Sequence, residues 1–151
     1  MFRFRPIFAL RGALVLALAA CHVQFVTEYD QTFDAELSTA YQDIDILLTR
    51  LGTPSAADPT VSAVSYAAVA ADYARIDAAL DAMQMRADAR TLNDATSASV
   101  TKIRQTFDGL EDASKSPGGL RVAHVRDELG ILRHDFQALM ALEAAKKRGQ
   151  T

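Results

Sequence analysis

The sequence has little of several things, and each shortage narrows the possibilities. A single cysteine among 151 residues excludes an intramolecular disulfide framework and any cysteine-based zinc cluster. Seven glycines and four prolines are too few for a collagen-like or linker-dominated chain. There is no tryptophan, and aromatic residues make up only 7%. Charge is close to balanced, 16 Lys and Arg against 19 Asp and Glu, and half the residues are apolar, which excludes wholesale disorder. No glycine-rich phosphate loop, His-Glu-x-x-His, Cys-x-x-Cys-His or Gly-x-Ser-x-Gly occurs. No repeat or low-complexity tract stands out. The length fits one domain with a substantial core.

What is present begins at the N-terminus. Arg3, Arg5 and Arg11 form a positive segment with no acidic residue before Glu28, and Gly12 to Ala20 form an uncharged apolar run ending in small side chains. That layout predicts an export signal over residues 1–20. A permanent span would need about 20 predominantly apolar residues, whereas Arg11 interrupts the run on one side and His22 and Gln24 close it on the other.

At the end of that run stand Leu18, Ala19, Ala20 and Cys21. The four residues resemble the lipobox of bacterial lipoproteins: a branched apolar residue, two small residues and the cysteine of that class. The resemblance implies that the Cys21 sulfur receives a diacylglyceryl group and that the peptide before it is removed. It further implies a new amino group open to acylation. Small side chains at 19 and 20 let a peptidase approach the backbone, and the thiol is the nucleophile for thioether formation. In that family an Asp directly after the cysteine resembles a retention signal for the inner membrane. His22 stands here instead, which points to the outer membrane, facing the periplasm. Residues 21–24 then form the lipidated tether and residues 25–151 the folded body. Several acyl chains anchor where one does not, at about 0.8 kcal/mol per buried CH₂.

Removing residues 1–20 leaves 13 basic against 19 acidic side chains, a net charge of −6. Such a body is repelled by nucleic acid and by anionic lipid, so its membrane attachment falls to the lipid and no nucleic-acid partner is expected.

The body reads as all-α, an up-down-up-down four-helix bundle behind the signal peptide. Phe25, Tyr29, Phe33, Leu37, Tyr41, Ile44, Leu48 and Leu51 recur every three or four residues, predicting a first helix that ends at Gly52, Thr53 and Pro54. Its opposite face carries Glu28, Asp30, Asp34, Glu36, Asp43 and Asp45 with only Arg50 in reply. Asp58 and Pro59 predict the start of a second helix, which continues through Tyr66, Val69, Tyr73, Ile76, Leu80 and Met83. After a turn following Arg86–Arg90, Thr91 or Asn93 is expected to cap a third, carrying Val100, Ile103, Phe107 and Leu110. Beyond Ser116-Pro117-Gly118-Gly119, a fourth runs from Val122 through Leu129, Leu132, Phe136 and Leu139, with Lys146, Lys147 and Arg148 facing the negative end of its dipole.

Two short motifs, Tyr29-Asp30 and Leu142-Glu143-Ala144-Ala145-Lys146-Lys147, are similar to the ends of small bacterial lipoproteins, a likeness that implies location and no chemistry. No catalytic, metal or cofactor site is expected. Glu-x-x-His pairs for a di-iron centre are missing, and the Glu residues fall mainly on polar faces. His124 and His134, ten residues apart, point about 80° from one another around one helix. Tyr29, Tyr41, Tyr66 and Tyr73 are expected in the seams, hydroxyls toward the rim. The reading is a lipid-anchored envelope module that acts by contact with a protein partner; the alternative is a bundle that binds a small ligand in the tyrosine seam.

Overall fold

A computed structural model of the chain describes residues 27–149. Among these it has four α-helices and no strand: α1 (Gln31–Leu51), α2 (Tyr66–Asp88), α3 (Asp94–Ser114) and α4 (Val122–Gly149). Each packs on its neighbours in the chain, α4 closes back on α1, and Cα atoms of diagonal helices do not approach within 8 Å. That is the expected up-down-up-down bundle. Cys21, the Leu18-Ala19-Ala20 segment and Phe25 lie outside the described residues.

Alternating spacings of four and three build the core. The buried positions in this register are Phe33, Leu37, Ala40, Ile44, Leu47 and Leu51 on α1, with Leu48 buried beside them, and Val69, Tyr73, Ile76, Leu80, Met83 and Ala87 on α2. On α3 they are Thr96, Val100, Ile103, Phe107, Leu110 and Ser114. Such a seam averages 3.5 residues per repeat and lets neighbouring helices mesh at shallow angles. Val125, Leu132, Phe136 and Leu139 continue it on α4.

Two helix starts differ from the sequence reading. Expected from Phe25 onward, the first helix begins at Gln31 among the described residues, because the extended Asp30 turns its carboxylate onto the Thr32 and Phe33 amides (2.9 and 3.1 Å) and caps α1 there. Asp58-Pro59 does not start α2. The Asp58 carboxylate accepts from the Thr60 amide and hydroxyl (2.9 and 2.7 Å), making a local turn instead. Helix α2 begins at Tyr66, after Ser65. The backbone between is taken by pairing across the top of the bundle: Ser62 N–H donates to the Leu120 carbonyl (2.8 Å) and Val122 N–H to the Thr60 carbonyl (3.0 Å). Gly119, at φ +73°, permits this; a Cβ there would lie 2.8 Å from Val61 Cγ1. The two loops thus form a crown over one end. The other end, the base, gathers residues 27–30, the α2–α3 turn and the end of α4.

Charged side chains flank the seams. Arg50 pairs with Asp72 (2.6 Å), Arg75 with Asp43, Arg86 with both Glu36 oxygens (3.1 Å each) and Arg133 with Asp45 (2.6 Å). Arg104 with Asp81 and Lys102 with Asp135 do the same for the other pairs of helices (2.6 and 2.7 Å). Asp34, the remaining acid of α1, accepts from the Tyr29 hydroxyl (2.7 Å). Every acid within α1 therefore has an answer inside the chain, mostly from other helices. Exposed pairs contribute about 0–1 kcal/mol each, so their main effect is to specify which helix neighbours which.

Candidate functional site

At the base, polar groups from the strap, the α2–α3 turn and the end of α4 converge. Residues 27–30 lie as a strap across it. Thr27 N–H donates to the Leu92 carbonyl (3.2 Å), and Arg90 donates to the Glu28 carbonyl (2.8 Å) while pairing with Asp30 (2.8 Å). Arg86 stands 3.9 Å from the same carboxylate. Partial burial pushes the Asp30 carboxyl upward, but the Phe33 and Thr32 amides with Arg90 and Arg86 outweigh it and hold the group below the ordinary carboxylate range. Tyr29 donates its hydroxyl to Asp34, a bond that raises its pKa, and its ring lies under Lys147 Nζ at 5.1 Å from the centroid. The two terminal motifs, far apart in sequence, thus touch: Tyr29-Asp30 meets the end of α4.

Above the strap the seam turns polar. Lys146, expected only as a cation at the negative end of the α4 dipole, has a side chain just 4% exposed. Its ammonium donates to Glu143 Oε1 (2.6 Å), Thr96 Oγ1 (2.6 Å) and Asn93 Oδ1 (2.7 Å). Thr96 passes its own hydrogen to Glu143 (2.8 Å), and Asn93 donates to the Ala87 carbonyl (2.9 Å). Asn93, one of the two residues expected to cap α3, holds the N-cap position, but its side chain serves this network and makes no bond to the helix amides. Glu143 is also buried, against the expectation that glutamates fall on polar faces. The reason is register: Leu139, Glu143 and Lys146 continue the four-three count, so the seam carries them inward. All three donor positions of the ammonium are used, which is what a buried charge requires.

Elsewhere the expected residues divide. Tyr41 packs its ring on Phe136 (5.5 Å between centroids), and the half-buried Tyr66 donates to Glu111 (2.8 Å). Tyr73 does not reach the rim. It is fully buried between Tyr66 and Phe107, with ring centroids at 5.7 and 5.3 Å. Its hydroxyl makes no hydrogen bond of normal geometry; the nearby Ser114 hydroxyl, which donates to the Glu111 carbonyl (2.7 Å), pulls its pKa down, but burial outweighs that and pushes it up to about 12. Those rings fill the seam where a ligand pocket was the alternative. His124 lies 3.9 Å from Glu128 as a loose surface pair, and His134 is exposed. Among the described residues no group of three His, Cys, Asp or Glu is arranged to hold a metal ion, and no helix is long and apolar enough to cross a membrane.

The base also holds a recess of 360 Å³, lined by Thr27, Glu28, Ala89, Arg90, Thr91 and Leu92. Compared with known proteins, the chain matches no family model, no curated protein and no solved structure.

Proposed function

We propose that this protein is a lipid-anchored helical bundle of the bacterial outer membrane, facing the periplasm and acting by contact as a scaffold or accessory of an envelope protein, without catalysis. The observation that carries the reading is the Leu18-Ala19-Ala20-Cys21 segment behind a basic and then apolar leader. The bundle supports it in one respect. Thr27, six residues after Cys21, is hydrogen-bonded to the base, so a lipid at Cys21 would tether that end of the bundle.

The acidic residues of α1 are engaged within the chain, so a partner would be met by other outward positions. Ile46, Met85 and Ile131, 60%, 68% and 45% exposed, are suitable places for crosslinkers. The deciding experiment pairs intact mass of the mature protein with crosslinking in the intact envelope. The expected result is a chain beginning at an acylated Cys21 and a reproducible neighbouring protein. Cys21→Ser should give an uncleaved or mislocalised protein with unchanged helicity by circular dichroism. A Cys21→Ser chain that fractionates with the membrane as before would refute the anchor.

A further inference from the structure

Leu92 is the conspicuous residue of the base. It sits in the α2–α3 turn at φ +58°, the one non-glycine residue with positive φ among those described, and its side chain is 55% exposed. Asparagine or glycine takes the left-handed region with little strain, whereas a bulky apolar residue does not. Leu92 thus presents an apolar side chain outward from a turn whose backbone is tied to Thr27, the segment that leads back toward Cys21.

Chain length decides what can. Cys21 and Thr27 are six residues apart, so their Cα atoms can be separated by no more than about 20 Å even when fully extended. Thr27 is hydrogen-bonded to the Leu92 backbone. The crown is at the other end of helices such as α1, whose 21 residues span about 32 Å. Of the two ends, a lipid at Cys21 brings the base to the bilayer and leaves the crown away from it.

We infer that the α2–α3 turn is a membrane-contact point, with Leu92 entering the headgroup layer of the bilayer that holds the anchor. This rests on the lipidation reading above. The contact assigned to Leu92 is apolar in character: Arg90, the cation lining the recess, is bound to Asp30 and the Glu28 carbonyl, and Lys147 stands over the Tyr29 ring. It is therefore expected with zwitterionic lipid as well. The lipid supplies the attachment and the turn sets the orientation, with the crown directed into the periplasm.

The test uses the full lipidated chain in phosphatidylcholine vesicles. Acylation consumes the Cys21 thiol, so Thr91→Cys, beside an intact Leu92, and, as a crown control, Ala57→Cys each carry one free thiol for a small environment-sensitive fluorophore. Nitroxide lipids labelled near the headgroup should quench the probe at 91 about twofold or more strongly than the probe at 57, and adding Leu92→Asp should reduce the difference. Equal, weak quenching at both positions in a protein whose mass shows the diacylglyceryl group would overturn the contact and leave the anchor standing. A mass without acyl addition would overturn both.

Discussion

At the scale of single residues, Lys146 is the side chain whose environment departs furthest from its type. Its ammonium and the Glu143 carboxylate are both withdrawn from water, a cost offset only while every donor and acceptor is matched. Lys146→Ala leaves Glu143 buried without its counter-charge and should lower unfolding free energy by about 3–5 kcal/mol, measurable by urea denaturation. The pair Lys146→Met with Glu143→Leu should recover only part of that loss, since apolar residues of similar volume fill the space and remove both charges but leave the Thr96 hydroxyl and the Asn93 carbonyl oxygen without their partners. Tyr73 behaves in the opposite sense. Its buried hydroxyl makes no hydrogen bond of normal geometry, so Tyr73→Phe should hold or raise stability at neutral pH, within about 1 kcal/mol. Its pKa is raised in the fold, so the unfolded chain releases the proton first. Stability is complete below pH 10 and falls as pH rises toward 12, and the Phe variant should lack that part of the alkaline loss.

At the scale of elements, the helix ends carry the information that periodicity lacks. Asp30 stops α1 from extending back along its own apolar stripe, and Asp58 spends its carboxylate on a turn although Asp-Pro has the form of a helix start. Replacing the cap, Asp30→Ala, should cost about 1 kcal/mol and loosen the strap that Arg90 holds. The Asp30 carboxyl is held below its ordinary value, so its contribution is present above pH 3.8 and lost as pH falls through the lower, folded value. The Ala variant should show a shallower loss of stability on acidification, followed by circular dichroism. In the crown, Gly119→Ala should destabilise by about 1–2 kcal/mol from the left-handed backbone alone, before its clash with Val61 is counted.

For the whole molecule, the bundle has two unlike ends. The crown is closed by backbone pairing between loops, the base by side chains that bring both termini of the described chain together. If the base faces a bilayer, the strap, Leu92 and the end of α4 form one unit whose orientation follows from covalent length. The outward faces of the helices are then left for a protein neighbour.

The four seams were legible in the chain because helical repeat is a local property: residues three and four apart share a face whatever lies opposite. The leader and the Cys21 lipidation site expected from the sequence rest likewise on contiguous residues, which is why a short run is enough to propose them. Where α2 begins was not legible, because the competing use of residues 60–62 depends on Leu120 and Val122, some sixty positions later. Nor was the role of the charges. The arginines that answer the acids of α1 lie on α2 and α4, and Lys146 is buried because antiparallel packing sets Asn93 and Thr96 against it. Periodicity assigns a residue to a face, but only the assembled neighbours decide whether that face meets water, a counter-charge or a core.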